Sequence, residues 1–190
     1  MADIHELMVS MDLPDDLSDA EVAEIRWHLG LGPQPEQLTI ITRFPTLVFD
    51  DDTGEPKLDD DGGWLVVDRP QPVWGQSPSV AWKTGGVLLS TLLREDDAHG
   101  GSTLLREDDA HGGRWALTCR WEIHPDSHGN VARLFNWLAR RCHGRGRFFG
   151  YLRWHEDDEP TEILTVRDGV IVTHRNGKFV APLWDEPAEG

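Results

Sequence analysis

Arg114–His124 reads RWALTCRWEIH. Trp115, Leu117, Cys119, Trp121 and Ile123 take every second position, and Arg114, Ala116, Thr118, Arg120, Glu122 and His124 fill the places between. Successive side chains of an extended chain point to opposite sides, so this alternation predicts a half-buried β-strand with one core face and one wet or functional face. Pro125–Asn130 (PDSHGN) then reads as a turn, with Asp126 or Ser127 placed to cap a helix. Val131, Leu134, Phe135 and Leu138 recur at i, i+3, i+4 and i+7, the apolar stripe of an amphipathic helix. Arg140, Arg141 and His143 suit the negative end of its dipole, and Gly144 suits its stop. The strand and the helix each have an apolar face to cover and only a short turn between them, so the two faces are expected to pack together.

Downstream, Phe148–Trp154 (FFGYLRW) reads as the next strand. An acidic turn at 156–159 leads to Glu162–Val166, Val170–His174 and Lys178–Val180, separated by Asp168-Gly169 and Asn176-Gly177. Both dipeptides favour two-residue hairpin turns, so a three-stranded meander is expected. Upstream, Ser18 and Glu21 form a capping box ahead of Val22, Ile25 and Leu29. A helix from about Asp19 to Leu29 follows, stopped by Gly30 and Gly32 with Pro33 and Pro35 beyond. Leu38–Thr42, Thr46–Phe49 and Trp64–Val67 read as strand pieces, with Pro45 marking a bend or an edge. In Val87–Glu95 (VLLSTLLRE), Leu88 and Leu92, and Leu89 and Leu93, stand four apart, which reads as a helix, although so short an apolar run also suits a strand. The order of elements predicts an α+β fold, a mostly antiparallel sheet with two or three helices packed on one face and a C-terminal β-meander. Residues 1–190 read as a single domain, with 1–17 and 185–190 flexible.

Ser90–Gly101 and Ser102–Gly113 both read STLLREDDAHGG, without a single change. Neither low complexity nor a solenoid period produces two identical neighbours in an otherwise non-repetitive chain, so one was copied from the other, by accident or by design. Two copies compete for one native position. Val87, Leu88 and Leu89 precede the first and extend its apolar run, whereas His99, Gly100 and Gly101 precede the second, so context favours the first copy in the fold and the second as a loop or an added edge.

The chain has 34 acidic residues against 18 basic, a net charge of -16. That excess argues against nucleic acid and anionic membrane as partners and favours a basic protein. No apolar run approaches the ~20 residues that cross a bilayer. Met1–Ser10 (MADIHELMVS) lacks the basic start and apolar stretch of a signal peptide, so a cytoplasmic location is expected. Cys119 and Cys142 are too few for a disulfide framework. Nine tryptophans are many for this length and imply a Trp-lined core or an aromatic contact surface.

Asp50–Gly63 runs DDDTGEPKLDDDGG. A calcium loop of the EF-hand kind needs Gly at its sixth position and Glu at its twelfth, but counting from Asp50 gives Glu55 and Asp61. The stretch therefore reads as a solvated hairpin tip, and neither metal nor cofactor is expected. His124, Asp126 and His128 set three proton-transfer or metal-binding groups in one turn, and His155 and Glu156 join them if the strands on either side pair. Capping by Asp126 with solvated histidines is the simpler use of that turn. The arginines between 114 and 147 make a basic stretch, expected to pair internally with the aspartate-rich loops. The leading functional expectation is a non-enzymatic binding protein, an inhibitor or immunity-type partner of a basic protein. In it Asp50, Asp51, Asp52, Asp59, Asp60 and Asp61 steer the encounter and exposed tryptophans anchor it. The alternatives are a small hydrolase-like enzyme using His124, Asp126, His128, His155 and Glu156, or a duplication variant whose activity is incidental to the repeat.

Overall fold

Leu7, Val9, Met11 and Leu13 are all buried and alternate with Glu6, Met8, Ser10 and Asp12 along a strand, β1 (His5–Leu13). The computed structural model describes residues 4–73, 86–94, 115–123, 128–142, 148–154, 156–160 and 162–182. Within it β1 is an interior strand of the main sheet, paired antiparallel on one side with β5 (Trp115–Ile123) and on the other with β6 (Phe148–Trp154). Within the stretch 1–17 expected to be flexible, His5–Leu13 is instead a paired strand: four inward apolar residues at period two bury themselves between two long neighbours. Residues 185–190 lie outside the described residues.

The expected strand 115–123 has the predicted polarity. Leu117, Cys119, Trp121 and Ile123 are buried and stand opposite Met11, Val9, Leu7 and His5 in register. β5 and β6 both run antiparallel to β1, so they are parallel to each other, and the chain passes between them through α2 (His128–Arg141). That helix puts Val131, Leu134, Phe135 and Leu138 into the same core as Leu117 and Cys119. The proposed caps Asp126 and Ser127, and the stop Gly144, lie outside the described residues.

The meander follows as read: β7 (Glu162–Arg167), β8 (Val170–Arg175) and β9 (Lys178–Pro182). Asp168 and Gly169, and Asn176 and Gly177, all take positive φ between 52° and 75°, the two-residue turn in which both central positions are left-handed. Glycine is needed at 169 for a second reason, because a Cβ there would lie 3.0 Å from Arg140 Cγ of α2. A mostly antiparallel sheet with order β4-β5-β1-β6-β7-β8-β9 results, accompanied by two helices among the described residues.

The outermost strand on one side, β4 (Gly86–Arg94), corrects the helical reading of Val87–Glu95. It pairs with β5 along nearly its whole length, with a bulge between Val87 and Leu89, and it buries Leu92 opposite Leu117. Four-residue spacing in so short a run does not outweigh a ready-made ladder of backbone partners. The first copy of the repeat, from Ser90, supplies the second half of this strand. Residues 95–114, including the second copy, lie outside the described residues.

α1 (Asp19–His28) begins as expected, with Ser18 accepting from Glu21 N and the Glu21 side chain accepting from Ser18 N at 2.8 Å. Leu38–Thr42, by contrast, is not a strand. Its backbone donors turn to the fully buried Glu24 carboxylate: Ile40 N at 2.9 Å, Ile41 N at 2.8 Å, and the amide and hydroxyl of Thr39. On the other side of Glu24 lies buried His28, its Nε2 3.5 Å from Glu24 Oε1. Val73 N donates to His28 Nδ1 at 3.2 Å, which assigns the ring proton to Nε2, facing the carboxylate. Burial alone would raise the Glu24 pKa, but His28 and the three amides hold it below the ordinary carboxylate value. One acid thus ties α1 to the loop before the next element.

Candidate binding face

That element is a small ribbon built from three short segments. β2 (Pro45–Leu47) pairs antiparallel with β3 (Val66–Asp68), and Phe49↔Pro56 and Leu58↔Trp64 extend the pairing through two turns. The ribbon joins the body at Phe44, which is fully buried and whose amide donates to Asp68 Oδ1 at 2.7 Å.

Residues opposite one another across an antiparallel pair share a face, as do residues two apart along a strand. Leu47 faces Val66, Val66 and Trp64 are two apart, Trp64 faces Leu58, Leu58 and Pro56 are two apart, and Pro56 faces Phe49. The chain of neighbours closes, because Phe49 and Leu47 are again two apart. Five large apolar side chains of this one face are exposed: Leu58 by 60%, Trp64 by 59%, Phe49 by 52%, Val66 by 50% and Leu47 by 43%. Single exposed apolar residues are ordinary, but a connected set of five on one surface makes this face the candidate for binding.

The aspartates sit at the turns of this ribbon. Asp50 Oδ1 accepts from Asp52 N and Thr53 N at 3.1 Å each, and Asp59 Oδ1 accepts from Asp61 N at 3.0 Å and Gly63 N at 2.8 Å. These two carboxylates shape the turns, and the Thr53 and Asp52 amides hold the Asp50 carboxyl below its ordinary value. Asp51, Asp52, Asp60 and Asp61 are left exposed at the rim. Lys57 meets Asp50 at 3.5 Å, leaving the rim strongly negative. Among the described residues, no cluster of three His, Cys, Asp or Glu is placed to hold a metal.

The structure bears less on the His/carboxylate candidates. His124, Asp126 and His155 lie outside the described residues, as does the side chain of His128; Glu156 is exposed in the turn after β6. One premise for their convergence is corrected. The strands ending at Ile123 and Trp154 do not pair, because His5 of β1 stands between them in register with both. Burial pushes the thiol pKa of Cys119 up to about 12 and that of Cys142 up to about 11, so neither is a ready thiolate. No described helix is long and apolar enough to cross a membrane.

Among the described residues, two arginines of the basic stretch, Arg120 and Arg141, pair with glutamates outside the aspartate-rich loops. Arg141 meets Glu21 at 2.7 Å, and Arg120 meets Glu6 at 2.7 Å. Glu6 lies on the sheet face opposite the core, 5% exposed, and it also accepts from Arg153 at 2.9 Å and Tyr151 at 2.6 Å. The Arg120 hydrogen bond leads in drawing its pKa from 4.5 down to about 2, against the upward push of burial. A depressed carboxylate contributes stability that is complete above its unfolded value and is lost as pH falls through the folded one. Stability is therefore expected to drop by about 2 kcal/mol between pH 4.5 and 2 on this account, after allowance for the half-exposed Arg120. Denaturant titrations across that range test it: Glu6→Gln should flatten this part of the profile, and an unchanged slope would remove Glu6 as its source.

Comparison with protein families, with curated proteins and with solved structures finds no match to the chain.

Proposed function

We propose that this protein is a non-enzymatic binding protein that docks a basic protein through the ribbon 45–68. The observation that carries this reading is the closed register placing Leu47, Phe49, Leu58, Trp64 and Val66 on one exposed face beside two acidic turns. Apolar side chains there supply the area that water leaves on association, and Trp64 is the natural anchor. The rim aspartates draw in a partner of opposite charge and disfavour pairing of two copies of this chain, whose rims repel. An inhibitor or immunity-type role fits that chemistry. In the same reading both helices pack on one face of the main sheet, and the ribbon projects from the body at Phe44.

The test separates anchoring from steering. Proteins recovered from a lysate of the source cell by the wild-type chain, and lost with Trp64→Ala at unchanged thermal stability, are the expected partners. Against such a partner Trp64→Ala is expected to cost about 2 kcal/mol of affinity, roughly thirtyfold, chiefly in dissociation. Changing Asp50, Asp51, Asp52, Asp59, Asp60 and Asp61 to Asn keeps the side-chain oxygens that the turns use. It is expected to slow association, as added salt should, while dissociation changes little. Equal recovery of the same proteins by wild type and Trp64→Ala would reject the ribbon as the docking face.

A further inference from the structure

The sheet face opposite the core holds a charge arrangement that the ribbon does not use. Both oxygens of Glu6 are taken, Oε1 by the Tyr151 hydroxyl and Oε2 by Nη2 of Arg120 and of Arg153. Two guanidiniums thus share one carboxylate. They are not equivalent: Arg153 gives Nη1 to the Asp157 carbonyl at 2.9 Å and its side chain is three-quarters buried, whereas the Arg120 side chain is 47% exposed. A guanidinium has five N–H donors, and Glu6 engages a single Arg120 nitrogen at 2.7 Å, so a second edge of the fork faces away from its internal partner.

The neighbours of that edge are fixed by register. Met8 stands directly opposite Arg120 on one side and Tyr151 on the other, an apolar floor between them. Two residues along β5 in one direction is Thr118, whose hydroxyl meets Ser10 Oγ at 3.1 Å. Two residues in the other is Glu122, opposite Glu6, which would repel an anion approaching from that end. Arg120 stands opposite Leu89 of β4 on its other side, and a ligand with its anionic head on Arg120 would lay its body over Met8 toward Ser10 and Thr118, away from Glu122.

We propose that Arg120 is a carboxylate-binding residue, pre-oriented by Glu6, whose outer edge takes a monocarboxylate with a short apolar body. The planar fork fits a carboxylate in two parallel hydrogen bonds, and the nearby Glu122 disfavours a phosphate dianion more than a monoanion. The carboxylate belongs to a free small molecule or to the end of a peptide chain. This inference is independent of the ribbon, because the two surfaces share no residue.

Titration of the wild-type chain with butyrate, followed by NMR of the arginine Nε–Hε signals, tests it directly. The Arg120 signal is expected to shift with saturation while that of Arg167, a 70% exposed arginine, does not. Butyramide, the neutral counterpart, is expected to leave Arg120 unmoved, and inorganic phosphate to bind more weakly than butyrate. Arg120→Lys keeps a cation beside Glu6 but loses the fork, and is expected to weaken butyrate about tenfold or more. A short peptide that outcompetes butyrate only when its terminus is a free carboxylate identifies a chain end as the source; one that binds no better than butyrate identifies a small molecule. Equal, unsaturating shifts at Arg120 and Arg167, an equal response to butyramide, or stronger binding of phosphate would each overturn the assignment.

Discussion

Glu24→Ala is expected to remove about 3–5 kcal/mol of stability, a large part of what a domain of this size possesses. The wild-type carboxylate is fully buried and accepts from three successive amides, those of Thr39, Ile40 and Ile41, as well as from the Thr39 hydroxyl. Alanine leaves all of these donors without an acceptor in a place water reaches poorly, and each such loss is worth about 1–3 kcal/mol. It also strips His28 of the charge its Nε2 faces at 3.5 Å. Relaxation of the 38–42 loop toward solvent would recover part of this, which is why the expected figure lies below the sum of the parts. Glu24→Gln should fall between, because glutamine keeps one oxygen but aims an NH2 at amides that are themselves donors. Chemical denaturation of the three proteins at neutral pH measures the series. A loss below about 1 kcal/mol for Glu24→Ala would show that the loop finds other acceptors and that Glu24 does not hold it.

The same residue explains why part of the fold was hidden in the sequence. LTIIT at 38–42 has strong strand propensity, yet the amides of Thr39, Ile40 and Ile41 are claimed by one helical glutamate 15 to 17 residues earlier, a tertiary bond that local composition cannot signal. β1 is a different case. Leu7, Val9, Met11 and Leu13 alternate with Glu6, Met8, Ser10 and Asp12, a pattern that the apolar Met8 interrupts, and only the pairing on both sides shows it to be an interior strand. The elements that were legible carry their signals locally: the capping box of α1, the apolar stripe of α2, and the Asp-Gly and Asn-Gly turns of the meander.

The acidic half of the candidate binding face was legible too, since Asp50–Asp52 and Asp59–Asp61 are runs in the sequence. Its apolar half was not. Leu47 and Phe49, Leu58, and Trp64 and Val66 come from three segments too short to show a period, and two turns bring them together. The Glu6 cluster draws likewise on three strands that are far apart in the chain and adjacent in the sheet. Sites assembled from single residues of several strands leave no motif, and spatial proximity is what identifies them.

The repeated dozen offers the other large expected effect. Leu92 is 5% exposed and belongs to the core, opposite Leu117. Placing a carboxylate there should cost more than the whole stability of an ordinary domain of this kind. Yet Leu92→Asp is expected to leave a folded protein, weakened by only about 2–3 kcal/mol, because Ser102–Arg106 repeats Ser90–Arg94 letter for letter and can take its place beside β5. The exchange replaces Gly86–Leu89 by Ala98–Gly101 and so gives up apolar contacts, at up to ~1.5–3 kcal/mol for each large side chain fully buried. Shortening the connection to β5 from 95–114 to 107–114 returns about 0.8 kcal/mol, at ~0.6 for each halving, and lengthening the connection before the strand from 69–85 to 69–97 takes back about 0.5. The second copy thus sets a ceiling on the damage to the first. Leu104→Asp alone should be nearly silent, while Leu92→Asp with Leu104→Asp removes both candidates and should unfold the chain. Deleting either copy yields the same shorter sequence, so a chain with one repeat should keep its fold and lose it on Leu92→Asp. Urea unfolding of these variants settles the matter: if Leu92→Asp alone is as badly unfolded as the double variant, the second copy cannot occupy the strand.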